Sequence, residues 1–482
     1  MSLRDEILAA YQAGPEATIA FVEAVVTALQ QELSSLSAQV AQLQARLNKD
    51  SHNSHQPPSS NGPAKRPHPR SLRKRSGKKR GGQAGHPGVT RCLVDNPTAT
   101  VQHVPAVCAE CGADLETAPE LSRERRQVFD IPEPRLDVTE HQAVHKACPA
   151  CQTVTSGRFP PEVSQPVQFG ARAQATMVYL QTYQLLPFER TVECLGDLFG
   201  LYPSEGTLAS AQARAYTRLA GVEQAIGAAL QQADVVHVDE TGQRVAGRTA
   251  WVHVVSTALL TFYAHHAKRG REAIDAIGLL VGCAGRRVHD AWAPYLSLPR
   301  AYALCNAHLL RELIGLDEES GQAWIQKLIR LLLSMKATVE AARAAGQAEL
   351  PAKQRAGFEA AYTRFLNEGL LANPPPKPTG KRGRPRQTPA RNLLDRLVTH
   401  RAAILAFLYD FRVPFDNNQA ERDLRMLKVK HKASGGFRSP EAAAYFCRIR
   451  GYISTLRKQG YSVLDGLTSV FTGQPVTPRL QA

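Results

Sequence analysis

The sequence has no run of 18 apolar residues, so it lacks the material for a membrane-spanning helix. Residues 1–6 do not have the basic-then-apolar order of a signal peptide, and we therefore expect a cytoplasmic protein with no membrane partner. Nine cysteines in 482 residues do not make a disulfide framework, and paired cysteines in a reducing compartment indicate metal binding. A hydrophobic content of 43% excludes a wholly disordered chain, and the length suggests about three domains.

The sequence has fewer acidic residues than basic residues. The formal net charge is +16 and the pI is near 9.6, which favours a polyanionic partner, with nucleic acid the leading candidate and a merely soluble basic protein the alternative. The excess is clustered between residues 65 and 80, a stretch with no acid whose cations are Lys65, Arg66, Arg70, Arg73, Lys74, Arg75, Lys78, Lys79 and Arg80.

This basic cluster lies in a segment, residues 51–90, that is rich in Ser, His, Pro, Gly, Lys and Arg and has almost nothing apolar to bury. Such a composition predicts disorder in the free protein. A solubilising linker is one interpretation. We favour a non-specific DNA clamp, because clustered cations gain affinity by releasing counterions from DNA.

The N-terminal region contains a heptad pattern over residues 19–47. Apolar side chains recur at alternating spacings of three and four, at Ile19, Val22, Val26, Leu29, Leu33, Leu36, Val40, Leu43 and Leu47. An amphipathic helix packed on its own domain is one explanation. The stripe is narrow, however, and a narrow stripe favours a coiled coil, with a homodimer as the expected product.

Two Cys-x-x-Cys pairs follow, Cys108 with Cys111 and Cys148 with Cys151. Four thiolates can close a tetrahedral zinc site with no open position, so we expect one structural Zn²⁺ rather than a catalytic one. A redox pair or unconnected thiols are the alternatives. The pairs are separated by 36 residues, in which strand-like runs at 127–131 and 136–144 predict a hairpin.

Residues 168–230 have helical patterns. Within them, two helices joined by a Gly and Pro turn at 200–203 have the order of a helix-turn-helix. Any two packed helices share this order, and Arg214 and Arg218 add little basic character. Packing is the favoured interpretation.

From residue 233 the pattern changes to short strands with one helix, in the order of a ribonuclease-H-like sheet: strands 235–238, 251–256 and 260–265, helix 271–281, strand 286–289, and strand 302–305 leading into a helix. Asp239 is expected just past the end of the first strand and Asp290 just past the fourth. Strand ends at one sheet edge bring carboxylates together, and their oxygens suit Mg²⁺ or Mn²⁺. Each aspartate alone would be ordinary turn chemistry.

A third carboxylate is predicted on a helix that follows Pro414. Glu421 would project from this helix, Asp416 or Asn417 would cap it, and Asn418 lies one turn before Glu421 on the same face. Asp416 is the reserve ligand, and Asn418 is expected to reach the same metals or the substrate. An ion pair with Arg425 would be a sufficient alternative explanation for Glu421.

Between Asp290 and Glu421 lie 130 residues, which predicts an inserted domain containing helices at 324–344 and 355–368. The insertion also carries a hexapeptide that resembles an AT-hook, whose arginines would enter a narrow A·T minor groove. A charged loop is the alternative. Its cations are Lys381, Arg382, Arg384 and Arg386.

Four segments resemble successive motifs of the insertion sequence 66 transposase family: residues 239–241, 289–292, 305–312 and 416–422. The resemblance spans nearly the whole chain, including the coiled coil, the segment 82–88 and the cysteine pairs. This chain has Asp-Ala-Trp at the second aspartate where the family more often has Asp-Gly-Tyr. It also has Cys-Asn-Ala-His where Cys-Trp-Ala-His is more frequent.

The resemblance implies that Asp239, Asp290 and Glu421 form a DDE triad. Two Mg²⁺ or Mn²⁺ ions there would activate a water or a DNA 3′-hydroxyl for in-line displacement at phosphorus. The resemblance also suggests that His308 contacts the scissile phosphate, although a satisfied core histidine would explain it equally well. Beyond Glu421, a basic surface is expected to contact the DNA backbone through Arg425, Lys428 and Lys430.

The sequence therefore predicts a multidomain protein with an α/β ribonuclease-H-like core, an α-helical insertion, an N-terminal coiled coil and a zinc-ribbon-like module. The expected function is that of a prokaryotic, nucleoid-associated DNA transposase that acts on element ends and target duplex, with accessory proteins of the same element as further candidates for partners. A metal-dependent nuclease and an inactive DNA-binding protein are the alternatives. The predicted boundaries are 1–50, 51–90, 91–165, 166–230, 231–315, 316–405 and 406–482.

Overall fold

The structure is a computed structural model that describes residues 3–49, 53–54, 91–376 and 387–481. The basic cluster at 65–80 and the hexapeptide at 381–386 lie outside the described residues, so the predicted clamp and hook remain predictions. In the described ranges, no helix combines the length and the apolar character that crossing a membrane requires.

The predicted heptad segment is helical. After α1 (Leu3–Gln12), Pro15 opens the long helix α2 (Pro15–Asn48), because its fixed φ suits the first helical turn. Along α2 the heptad side chains are exposed, from 45% at Val26 to 73% at Leu47. The helix prediction is confirmed, and none of the described residues covers the apolar stripe.

The strand predictions between the cysteine pairs were wrong. The structure has no regular strand at 127–131 or 136–144, and instead pairs β1 (His145–Ala147) antiparallel with β2 (Val154–Ser156) around the second cysteine pair. Val128 and Val138 are 93% and 90% exposed, so no core holds that chain in pairs.

A helical region precedes the main sheet, as predicted. It contains α3 (Ala171–Val178), a π-helical turn (Tyr179–Tyr183), α4 (Phe188–Phe199), α5 (Glu205–Arg218) and α6 (Ala220–Gln232). The Arg218 guanidinium donates to the carbonyls of Val470 and Phe471, and Arg214 donates to Gln174. Both arginines therefore serve packing, in line with the favoured interpretation of these helices.

A five-stranded mixed sheet forms the centre of the chain. Its strands are β3 (Val235–Val245), β4 (Arg248–Ser256), β5 (Thr261–His266), β6 (Arg286–His289) and β7 (Tyr302–Leu304). The strand order is β5-β4-β3-β6-β7, with β3 antiparallel to β4 and parallel to β6. The helix between β5 and β6, α7 (Arg271–Ile277), ends four residues earlier than predicted, because Gly278 adopts a left-handed conformation there.

After β7 the chain forms a helical insertion before it returns to the sheet. Its helices are α9 (Asn306–Ser320), α10 (Ala323–Ala344), α11 (Ala352–Ala372), α12 (Pro389–Thr399), α13 (Arg401–Ile404) and α14 (Ala406–Tyr409), with α8 (Ala293–Leu296) preceding β7. The helices predicted at 324–344 and 355–368 are confirmed. They share one apolar core that reaches from Trp324 to Phe415. This core also contains Val288 of β6 and Leu304 of β7, so the insertion packs against that side of the sheet.

The chain returns to the sheet in three helices: α15 (Asn418–Ser434), α16 (Pro440–Lys458) and α17 (Val463–Phe471). Leu424 and Leu427 of α15 pack on Val252 and Val254 of β4. The opposite face of the sheet packs Val236 against α6 and α7. The sheet is therefore covered on both faces, and α15 lies directly over β3 and β4.

Candidate functional site

Asp239 lies within β3, not past its end as predicted. The strand runs on to Val245 because its antiparallel pairing with β4 continues through Asp239 and Val254. The parallel pairing of β3 with β6 stops at His237 and Val288. Asp239 therefore lies two residues beyond the last parallel pair, where β3 has lost one neighbouring strand.

Asp290 lies two residues beyond the same pair, immediately after β6, as predicted. Because side chains alternate along a strand, equal offsets place the two aspartates on one face at the same level. The backbone N–H of Trp292 donates to Asp290 Oδ1 at 3.2 Å, which orients the carboxylate. The parallel register alone thus brings the first two predicted carboxylates together.

Glu421 lies in the first turn of α15, which is tied to the sheet by Asn417. The Asn417 amide donates to the Val238 carbonyl at 2.8 Å, and its oxygen lies 2.9 Å from His237 Nδ1. The Asn417 backbone N–H donates to Cys305 Sγ at 3.1 Å. The helix start is thereby fixed beside the residues that flank Asp239.

The capping prediction for α15 needs a correction. Asn417 occupies the N-cap position, but its side chain makes no cap hydrogen bond because it binds the sheet instead. Asp416 Oδ1 accepts the backbone N–H of Asn418 at 3.1 Å. Asp416 also lies 3.9 Å from Lys336 Nζ, and both Asp416 and Asn418 are half-buried at the helix start.

The Glu421 carboxylate has only loose partners. His308 Nε2 lies 3.8 Å from Oε1 and Arg311 Nη2 lies 3.8 Å from Oε2, both beyond hydrogen-bond distance. Glu421 Oε1 is buried and has no hydrogen-bond partner in the described part of the chain. A buried carboxylate oxygen without a donor is costly, and a bound cation would satisfy it.

The neighbouring acidic groups act electrostatically on Asp239. Burial is the main cause that raises the pKa of Asp239 well above its ordinary value, and the negative charges of Glu240, Asp290 and Glu421 raise it further. The three predicted carboxylates therefore act on one another. Close, half-buried carboxylates offer hard oxygen ligands that fit Mg²⁺ or Mn²⁺, and such a cation would relieve their repulsion.

A fourth acidic group, Glu240, adjoins the site from the next position of β3 and was missed by the sequence analysis. Its carboxylate accepts from Tyr295 Oη at 2.5 Å and from Arg269 Nη2 at 2.6 Å. Burial raises the pKa of Glu240, and these partners oppose the rise. The Arg269 guanidinium lies against the rings of Trp251 and Trp292. No spacing signal links these five positions, because only the sheet brings them together.

Cys305, His308 and Glu421 form another potential metal group, with ligand atoms within 4.8 Å of one another. Burial and the charge of Glu421 raise the pKa of the Cys305 thiol to about 12. A thiol is a metal ligand as the thiolate, so Cys305 fits the role of a buried acceptor for Asn417 better than that of a ligand.

The predicted zinc cysteines lie in two turns of the same geometry. Cys108 N–H donates to the Ala113 carbonyl at 2.8 Å, and Cys148 N–H donates to the Thr153 carbonyl at 2.9 Å. The residue after each second cysteine has a positive φ, 69° at Gly112 and 59° at Gln152. A positive φ is ordinary for Gly112 but uncommon for Gln152, so the second turn adopts the backbone shape of the first even at a non-glycine residue.

One thiol in each turn has a lowered pKa. Hydrogen bonding from the Cys111 backbone lowers the pKa of Cys108, and hydrogen bonding with Thr153 lowers the pKa of Cys151. Lowered thiol pKa values favour the thiolate that zinc binds. Among the described residues, each turn holds its own two thiols, and the two turns do not combine into one group within 4.8 Å.

The residues of the predicted basic surface on α15 differ in their exposure to solvent. Arg425 and Lys428 are exposed, whereas the Lys430 ammonium lies 5.1 Å from the centre of the Phe437 ring and burial lowers its pKa. Arg425 and Lys428 are the members of this surface that face solvent.

Fold and site together define a multidomain, mixed α/β protein that gathers carboxylates where two parallel strands of its sheet end. A family model described as Transposase IS66 family matches residues 166–445, more than half of the sequence, and the chain belongs to this family. Membership implies that the protein is a transposase.

Two further family models match outside this range. The zinc-finger binding domain of transposase IS66 matches residues 105–152, which contain both cysteine pairs and support a zinc site there. A family of unknown function (DUF6444) matches residues 11–92. No curated protein was found to match the chain.

Proposed function

We propose that the protein is a DNA transposase of an insertion sequence that cleaves element ends and joins them to a target duplex. Asp239, Asp290 and Glu421 would hold two divalent cations, Mg²⁺ or Mn²⁺. The observation that carries this proposal is the convergence of these carboxylates from β3, β6 and α15, which raises the pKa of Asp239. The strand order and directions support a ribonuclease-H-like core.

Each part of the site has a role in this proposal. The bound cations would supply charge for activating the nucleophile and stabilising the leaving oxygen in an in-line displacement at phosphorus. Asp239 and Asp290 fix one side of the cation site through the parallel register. Asn417 fixes the other side, because it anchors the first turn of α15 to the Val238 carbonyl. In this proposal Asn418, Asp416 and His308 would contact substrate or cations.

The remaining regions would bind DNA and arrange protomers. The zinc turns at Cys108–Cys111 and Cys148–Cys151, closed by one Zn²⁺, would make residues 91–165 a rigid module. The exposed stripe of α2 would bind the same stripe of a second copy, which makes a homodimer. Arg425 and Lys428 would contact the DNA backbone. The predicted domain boundaries are part of this proposal.

Glu421→Gln provides the first test, because Glu421 reaches the site only through the tertiary fold. In a cleavage assay with Mg²⁺ and duplex carrying the element's own terminal DNA, we expect activity to fall at least about 100-fold, as for loss of a group that positions the reacting phosphate. Asp239→Asn should behave in the same way. Duplex binding should change little in both variants.

Asp275→Asn is the matched control, since Asp275 is half-exposed and pairs with Arg271 on the surface of α7. It should retain wild-type cleavage. Full cleavage by Glu421→Gln would overturn the site assignment. Joining of a cut 3′ end to a target duplex by the wild-type protein separates the proposed transposase from a nuclease that only cleaves.

A further inference from the structure

Arg311 is held more loosely than Arg269, beside the site, and Arg391, elsewhere in the insertion. It lies one turn after His308 on α9, is 29% exposed, and its closest carboxylate contact is the 3.8 Å approach to Glu421. In the described part of the chain, the Arg311 side chain makes this ion pair but no hydrogen bond. By contrast, Arg269 binds Glu240 at 2.6 Å and Arg391 binds Asp395 at 3.0 Å.

A second cation repeats this arrangement. Lys336, on α10, lies 3.9 Å from Asp416 Oδ2 and 3.7 Å from Glu340, with its ammonium 5.2 Å from the centre of the Phe415 ring. The helices α9 and α10 therefore each place one loosely paired basic side chain near the acidic residues at the start of α15. Long, partly exposed ion pairs contribute little to stability, so packing does not explain both.

The positive charge of Arg311 would compete with any divalent cation on Glu421. A guanidinium and a divalent cation within a few ångströms of one carboxylate repel each other, and the divalent charge has the stronger attraction for the oxygens. Arg311 has no hydrogen bond to break, and its unbranched side chain can turn toward solvent. Its planar donor group matches the oxygens of a phosphate.

We propose that Arg311 is a charge placeholder. It neutralises Glu421 while the carboxylates hold no divalent cation, and it binds a backbone phosphate of DNA once divalent cations occupy them. Lys336 does the same at Asp416. This inference rests on the proposed function, because it requires Glu421 to be a cation ligand. It assigns to the helical insertion a role in coupling cation binding to DNA binding.

The first arm of the test measures Mn²⁺ binding to the full-length protein without DNA by titration calorimetry. Arg311→Met removes the competing charge but keeps an unbranched helix former. We expect its Mn²⁺ affinity to rise by about threefold to tenfold. Arg311→Lys keeps the charge and should match wild type. Lys327→Met, which breaks a surface pair with Glu368 at 2.7 Å, is the control for charge loss on the insertion.

The second arm measures binding of a short mixed-sequence duplex over a range of salt concentrations, with Ca²⁺ and without divalent cation. Ca²⁺ takes the same oxygen ligands as Mg²⁺. With Ca²⁺, Arg311→Met should bind the duplex about fivefold to tenfold more weakly and lose about one unit of the log–log salt slope. Without divalent cation the slope should equal that of wild type, because Arg311 then stays with Glu421.

The proposal requires Arg311→Met to bind Mn²⁺ more tightly and, with Ca²⁺ present, to bind the duplex more weakly than the wild type. A merely structural role for Arg311 would weaken both Mn²⁺ and DNA binding, and that result would overturn the inference. An equal loss of salt slope with and without Ca²⁺ would overturn it as well. Glu421→Gln separates the two proposals: if it leaves Mn²⁺ binding at the wild-type level, the proposed cation site itself is wrong.

Discussion

Asp239 is held in an electrostatically unfavourable place. It is half-buried, and desolvation together with the charges of Glu240, Asp290 and Glu421 opposes its ionisation, so its pKa in the folded protein lies well above the ordinary aspartate value. Such an arrangement decreases the stability of the cation-free protein at neutral pH. Active sites commonly contain strain of this kind, because the same repulsion is relieved by the ligand.

Asp239→Asn should therefore stabilise the cation-free protein. Between the ordinary aspartate pKa, about 4, and the raised pKa of Asp239, the folded wild type binds more protons than the unfolded chain, so its stability falls as pH rises. The asparagine variant lacks this loss and should gain about 1 to 2 kcal/mol at neutral pH. Thermal unfolding in chelator at several pH values measures the difference.

The gain should shrink as pH falls and disappear in acid below the ordinary aspartate pKa, where both forms of residue 239 are neutral. Mg²⁺ should raise the unfolding temperature of the wild type more than that of the variant. A variant that is less stable than wild type throughout this range would contradict the assignment of Asp239 as a desolvated carboxylate repelled by its acidic neighbours.

The helix α15 is held at both ends, and this is what places Glu421. Asn417 binds β3 at the beginning of the helix. Past its end, the Phe437 N–H donates to the Arg244 carbonyl at 2.8 Å, and the Ala246 N–H donates to the Phe437 carbonyl at 2.9 Å. Gly436 lies so close to β3 that a Cβ there would approach the Arg244 carbonyl oxygen to 2.4 Å.

Gly436→Ala should consequently destabilise the protein more than Gly435→Ala. Both glycines have a positive φ, 71° at Gly435 and 136° at Gly436, but only the second is crowded by backbone. We expect losses of about 1 kcal/mol at Gly435 and about 3 kcal/mol at Gly436. Denaturant unfolding of the two variants measures them, and equal losses would show that α15 is not fixed at this contact.

At the scale of the whole molecule, α2 stands apart from the packed core. Its heptad side chains are exposed along the helix, with Leu29 at 55% and Leu33 at 66%. An isolated narrow stripe of this length gains stability by pairing with a like stripe. The protein would thereby bring two active sites together, one for each end of an element.

Leu29→Glu combined with Leu33→Glu should convert the full-length protein from dimer to monomer, because two charges would be buried in the seam. Gln30→Glu with Gln31→Glu adds the same charge off the stripe and should leave the dimer intact. Light scattering at several protein concentrations measures the molar mass of each variant in solution. A wild-type protein that is monomeric at every concentration would contradict the coiled-coil proposal.

The sequence by itself determined the elements that depend on local periodicity and composition. The heptad helix, the helical insertion and the order of strands 235–305 all follow from spacings of apolar residues, which act over one or two turns or along one strand. Local reasoning failed at 127–144, where strand-forming residues have no neighbouring core, and at Asp239, where pairing with β4 extends the strand beyond the predicted end.

Only the tertiary structure decided how the site is assembled. Asp239 and Asp290 meet through the register of two parallel strands, and Glu421 joins them because Asn417 fastens α15 to β3 across 179 residues of chain. The network of Glu240, Arg269 and Tyr295, and the loose approach of Arg311 to Glu421, leave no local pattern. Contacts between distant segments depend on packing of the whole sheet, which local residue preferences do not encode.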